Sequence, residues 1–132
     1  MADGDQTIAV TSNTIAKTRQ NRLDSVWEVV LTATFDADDT TDVTSAIPIN
    51  GVLRHVTLYV PDTTNAVTKQ LQIKDNGDNV IFDTGELANV DAATTYNYNI
   101  DEPLAGIIDV VVGVSGAAGG TTTAMVVTLR GI

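Results

Sequence analysis

The sequence predicts an all-β protein, an antiparallel β-sandwich of jelly-roll-like kind with an extended N-terminal arm. Three observations carry that prediction. Val (17), Ile (10) and Thr (20) supply 47 of the 132 residues, and such branched side chains lose rotamer freedom in helices while fitting a pleated surface. The acids divide into 14 Asp and 3 Glu, an imbalance expected where carboxylates stand in turns rather than on helix faces. Alternating apolar stretches recur at short intervals between Gly, Pro, Asn and Asp, the spacing of two packed antiparallel sheets.

Taken in order, residues 1–25 hold no aromatic residue, and Ile8, Val10, Ile15 and Leu23 are too sparse for an amphipathic helix. They are expected to form the arm, with one short strand near Thr7 to Val10. The sandwich domain then runs over 26–132. Trp27, Val29, Leu31, Ala33 and Phe35 alternate with Glu28, Val30, Thr32 and Thr34, the clearest strand in the chain. Residues 36–42 (DADDTTD) are a loop. Thr44 to Ile49 is a short strand whose Pro48 suits a sheet edge, and Asn50-Gly51 reads as a tight hairpin turn.

Val52 to Val60 resumes the alternation, with Val52, Val56, Leu58 and Val60 on one side and Leu53, His55, Thr57 and Tyr59 on the other. Lys69 to Asp75 and Val80 to Asp83 flank Asp75-Asn76-Gly77-Asp78, a hairpin with Asn-Gly at its tip. Tyr96 to Ile100 is followed by an expected turn at Asp101-Glu102-Pro103. Ile107 to Val114 and Thr121 to Leu129 are expected to pair across the small-residue loop 115–120. The count is eight or nine strands and no helix; eight suits a jelly roll.

The formal charge is −10, so the body should repel nucleic acid and anionic membranes. Residues 1–25 balance Lys17, Arg19 and Arg22 against Asp3, Asp5 and Asp24, which leaves the net negative charge on 26–132. No run of 18 apolar residues is present to span a bilayer, and the polar start MADGDQT lacks the regions of a secretory signal. With no cysteine, disulfides, thiolate metal sites and thiol catalysis are excluded.

Candidate chemistry is thin. The single histidine, His55, is expected on an outward strand face, and no Gly-x-Ser-x-Gly elbow accompanies it. The glycines at 113, 116, 119 and 120 precede a strand rather than opening a helix, unlike a phosphate-binding loop. Asp36, Asp38, Asp39 and Asp42 offer oxygen ligands for Ca²⁺ but do not match an EF-hand loop, and turn geometry alone accounts for them. Tyr96 and Tyr98 share a face, either packed under a loop or available to a sugar or partner. No catalytic residues, metal site or cofactor are assigned. The run Ile107 to Val112 is apolar on both faces of its strand, which predicts that something covers the second face. With Ile47, Ile49, Leu53 and the apolar end Leu129 to Ile132, it marks an expected oligomer contact.

The runs IPINGVLRHVTLYVPDTTNAVTKQLQIKDNGDNVIFDTGELA (47–88) and IDEPLAGIIDVVVGVSGAAGGTTTAMVVTLRG (100–131) resemble small β-structured virion proteins of tailed bacteriophages. The resemblance covers roughly two thirds of the chain, through Ile49-Asn50-Gly51, the Asp75-Asn76-Gly77-Asp78 tip and Pro103-Leu104-Ala105-Gly106. It implies a capsid decoration (cement) protein or minor head protein on the capsid surface. Such a protein is non-catalytic, binds the major capsid protein and often forms a trimer. On that reading Lys17, Arg19 and Arg22 make electrostatic contacts, and Leu53, Ile107 and Val111 make apolar ones. The alternative is a carbohydrate-binding or adhesion module using Tyr96, Tyr98 and a calcium ion held by the 36–42 aspartates.

Overall fold

The computed structural model describes residues 6–14, 26–87, 93–119 and 123–132. Nine strands are present, with no helix among the described residues: β1 (Thr7–Asn13), β2 (Trp27–Phe35), β3 (Val43–Pro48), β4 (Gly51–Val60), β5 (Lys69–Lys74), β6 (Val80–Asp83), β7 (Thr94–Leu104), β8 (Ile107–Val114) and β9 (Thr123–Gly131). They form a five-stranded sheet in the order β1-β2-β9-β4-β7 and a four-stranded sheet in the order β3-β8-β5-β6. Every pairing is antiparallel.

The pairings are nested. β5 pairs β6, β4 pairs β7, β3 pairs β8 and β2 pairs β9, so the chain from β2 onward is one long antiparallel ribbon with its tip at the 75–79 turn. Winding that ribbon brings β9 beside β4 and β8 beside β5. This is the jelly roll, and β1 extends one sheet by a strand.

Alternation explains the layers. Trp27, Val29, Leu31, Ala33 and Phe35 of β2 are all buried, as are Met125, Val127 and Leu129 of β9. They meet Leu71, Ile73, Ile108, Val110 and Val112 from the other sheet in one core. Fully burying each Val, Leu or Ile side chain is worth roughly 1.5–3 kcal/mol before the entropy of ordering it. The Trp27 ring packs against Gly131, its partner in register, where a Cβ would overlap both the indole ring and the Val52 carbonyl.

Several local expectations are corrected. Asn50-Gly51 is not a hairpin turn, because β3 and β4 lie in different sheets; it is the crossover between them. Gly51 is required there because a Cβ would overlap the Ile132 carbonyl. Asp101-Glu102-Pro103 is not a turn either: β7 runs through it to Leu104, which Pro103 permits because β7 is a sheet edge. The chain turns instead at Gly106, with φ +85°. β8 and β9 lie in opposite sheets rather than pairing.

The face assignment of β4 changes too. Between Leu53 and His55 the strand carries one more residue than β9 opposite it, and this bulge resets the alternation. Leu53 therefore points inward with Val56, Leu58 and Val60, fully buried, while His55, Thr57 and Tyr59 face out. The 75–79 hairpin forms as expected, but its positive φ belongs to Asp78 (φ 64°) and not to Gly77. Asp78 N–H donates to the Asp75 carbonyl at 3.0 Å, as in a three-residue hairpin loop closed by a left-handed residue.

Candidate functional site

Lys17, Arg19 and Arg22 lie outside the described residues. Leu53 belongs to the core, so the folded chain presents none of its side chain to a partner. Ile107 stands exposed at 46 % beside Pro48 on the outer face of the four-stranded sheet. Val111 is half-buried on the same face, between Thr44 of β3 and Gln72 of β5. The expected second apolar face of β8 is thus Ile107, Asp109, Val111 and Gly113, interrupted by a carboxylate. Val111, Gly113, Gln70, Gln72, Asp42, Glu86 and Ser115 line a shallow open depression of about 60 Å³. Its polar walls are the amides of Gln70 and Gln72, the hydroxyls of Thr68 and Ser115 and the two carboxylates of Asp42 and Glu86, suited to holding water or a polar contact.

The outer face of the five-stranded sheet is mostly uncharged. Strand register sets Asn99, His55, Arg130 and Glu28 in one row across β7, β4, β9 and β2. The His55 ring is bracketed, with Nδ1 3.1 Å from the Asn99 side-chain oxygen and Nε2 3.2 Å from that of Asn97. Thr57 donates to the same Asn97 oxygen at 3.0 Å, and Arg130 Nε donates to Glu28 at 2.8 Å. His55 is therefore used in cross-strand contacts. Ser115 stands in the bend just after β8 of the other sheet, its Oγ accepting from the Thr68 backbone N–H at 2.9 Å, so the two make no nucleophile–base pair.

The aspartates of the 36–42 loop serve the backbone. Asp36 Oδ2 accepts from the N–H groups of Asp38 and Asp39 at 3.1 and 3.3 Å. Asp39 accepts from Thr41 N–H at 2.8 Å and, through its other oxygen, from Gln6 N–H at 2.9 Å. Those donors, Thr41 first, hold the Asp39 carboxyl below the usual carboxylate range. The Gln6 side chain donates to the Thr41 carbonyl at 2.6 Å, which ties the start of β1 to this loop. The Asp42 carboxylate lies over Gly113. Among the described residues no three His, Asp or Glu side chains gather as a metal-ligand set.

Tyr96 and Tyr98 point into the sandwich, half-buried against the core. Their rings are stacked at 6.3 Å, and Phe82 meets Tyr98 edge-on at 5.1 Å. They fill the side of the sandwich between edge strands β6 and β7, and desolvation there pushes the Tyr98 hydroxyl pKa up. The exposed aromatic is Tyr59, at 41 %.

One buried group was not singled out from the sequence. Lys69 is 0 % exposed, with its ammonium donating to Thr63 Oγ1 at 2.8 Å. Desolvation lowers its pKa, partly opposed by the charge of Asp62. The signal was the alternation Lys69, Leu71, Ile73, which puts the lysine on the core face of β5.

No family model matches the chain, and no curated protein matches it. Among solved structures it is similar to the enzymatically active domain of bacteriophage CBA120 tailspike protein 4, at 15% identity and a TM-score of 0.43, over 99% of this chain and 18% of that one. The chain thus spans under a fifth of the tailspike chain's length. It is similar to TmCBM61, solved in complex with beta-1,4-galactotriose, at 12% identity and a TM-score of 0.42, over 94% of this chain and 82% of that one. It is also similar to a chain of infectious bursal disease virus, Gx strain, at 12% identity and a TM-score of 0.36, over 78% of this chain and 32% of that one. The jelly-roll assignment rests on the strand order itself rather than on these likenesses.

Proposed function

We propose that this chain is a structural virion protein that binds the outside of a phage capsid as a decoration or cement protein, bridging capsomers without catalysis. The observation that supports this most is where the phage-like runs fall: 47–88 and 100–131 contain β4, β5, β6, β8 and β9 whole. The resemblance therefore covers the framework of the jelly roll rather than one loop. Its partner is the major capsid protein, and the working unit is a homo-oligomer, a trimer in the simplest case, whose several weak contacts add through multivalency. Lys17, Arg19 and Arg22 supply charge contacts to the shell, and Ile107 and Val111 supply apolar ones. Immunogold labelling of the virion with antibody to this chain tests the location. Label spread over the head is the expected result; label on the tail, or none, overturns it.

A second reading is favoured by one feature. Tyr59 stands exposed on the outer sheet face that also carries Thr57, Asn97 and His55, hydrogen-bonding groups of the kind that line sugar sites beside an aromatic platform. A carbohydrate-binding role would use that face and not Tyr96 and Tyr98. Binding to a neutral glycan array that is lost in Tyr59→Ala would establish it.

A further inference from the structure

Gln70 and Gln72 stand two residues apart on the outer face of β5, and both direct their amide nitrogens to one acid. Gln70 Nε2 donates to Asp83 Oδ1 at 2.8 Å and Gln72 Nε2 donates to Asp83 Oδ2 at 3.0 Å. Asp83 is on β6, at one side of β5, and β8 lies at the other. With their nitrogens engaged toward β6, the two amides offer carbonyl oxygens to the depression over β8. Register sets Gln70 beside Gly113 and Gln72 beside Val111, so these four residues form its floor.

The carboxylates come from the two flanks. Asp42 immediately precedes β3 and lies over Gly113, where a Cβ would overlap it. Glu86 precedes Leu87, which bridges to Lys69 of β5. Among the described residues no ion pair or hydrogen bond engages either carboxylate, and Lys69 itself turns into the core. Thr68 Oγ1, in the wall, is a buried oxygen without a partner, a rare condition in folded chains. The depression thus presents oxygen acceptors and two uncompensated negative charges, with the half-buried Val111 and Val114 as its apolar lining.

These groups select the occupant. Sugar sites join polar groups to an aromatic face, and no aromatic side chain lines the depression. Calcium draws six to eight oxygens to within about 2.3–2.6 Å, and no three His, Asp or Glu side chains converge among the described residues. A guanidinium has five N–H donors and no acceptor, is more weakly hydrated than an ammonium, and rides on an aliphatic stem that packs on apolar surface. We infer that the depression over β5 and β8 is a binding site for an arginine side chain of a partner protein, held between Asp42 and Glu86, with the Gln70 and Gln72 oxygens as further acceptors and Val111 under its stem. A second copy of the chain brings the same charge of −10 and approaches against repulsion, so the arginine belongs to a different protein. The inference rests on the binding reading proposed above for the partner being a protein, and it sets a charged anchor beside Val111.

The test is titration of the nitrogen-15-labelled chain with N-acetyl-arginine amide, followed through its amide resonances. N-acetyl-citrulline amide, the uncharged isostere, and calcium chloride are the other arms. Expected are saturable shifts at Gln70, Gln72 and Gly113 with the arginine amide and none with citrulline. Affinity is expected to fall at least about tenfold in the variant Asp42→Asn, Glu86→Gln, roughly the factor carried by one charge-assisted hydrogen bond. A charge-matched control, Asp38→Asn, Asp62→Asn, is expected to bind as the unaltered chain does. Equal shifts with citrulline, equal weakening in the control, or saturation of these residues by calcium and not by the arginine amide overturns the inference. So does dissociation of an oligomer of the unaltered chain by Asp42→Asn, Glu86→Gln, which puts the arginine on a second copy. No arm uses capsid shells, so failure here leaves the capsid reading to its own test.

Discussion

Lys69 places an ammonium group on the core face of β5 with one hydroxyl, that of Thr63, as its named partner. Burying a charge this way is unfavourable, and replacing a buried ionic group by an apolar one of similar volume is often stabilising. Lys69→Met is therefore expected to raise stability at neutral pH by on the order of 1 kcal/mol, measured by denaturant unfolding. The sign with pH follows from its lowered pKa. Between the folded value and 10.5 the unfolded chain binds more protons, so unaltered protein gains stability as pH rises through that window. The advantage of the Met variant should shrink from pH 7 toward pH 10; an advantage constant across that range would mean that Lys69 is not buried as an ion. Asp39, Asp75 and Asp83 act in the opposite sense. Hydrogen bonds to Thr41, Asn79 and Gln72, respectively the leading causes, depress their pKa values. Their stabilisation is complete above the unfolded value of 3.8 and is lost as pH falls through the lower folded values. Asp75→Asn should accordingly lower the melting temperature at pH 6 and flatten its fall in acid, as a calorimetric series from pH 6 to pH 2 would show.

At the scale of elements, period-two alternation made most strands legible. Trp27 to Phe35 reads in the sequence as it lies in the structure, and the 75–79 hairpin was visible because both of its strands are local. What the sequence concealed was non-local. Asn-Gly at 50–51 and Asp-Glu-Pro at 101–103 have turn chemistry, yet one joins two sheets and the other stays in an edge strand, and only sheet order decides between those outcomes. Leu53 was misplaced because a bulge opposite β9 shifts the alternation by one residue, something no single-strand pattern reveals. Of the candidate contacts, Ile107 is exposed and Leu53 is not; the buried Lys69 was readable from its alternation with Leu71 and Ile73. The close approach of β2, β4 and β9 at Trp27 gives a further prediction. Gly131→Ala sets a methyl group into the indole ring and the Val52 carbonyl, and overpacking of this kind costs typically about 1–3 kcal/mol. A denaturation midpoint equal to that of unaltered protein would show that the ring is not packed there.

For the whole molecule, the chain carries a formal charge of −10, and three exposed ion pairs, Arg54–Asp101, Lys74–Asp78 and Arg130–Glu28, offset part of it. Long-range repulsion between copies of so acidic a chain is screened by salt, so the proposed self-association is expected to tighten from low to high ionic strength, read as mass against salt by light scattering; dissociation by salt would point to ion pairs as the main attraction. Co-sedimentation of purified protein with capsid shells lacking it tests the proposed function most directly. The account predicts saturable binding at a fixed ratio to the capsid subunits, weakened when Lys17, Arg19 and Arg22 are reversed to Glu. Protein that stays in the supernatant at all shell concentrations would contradict it.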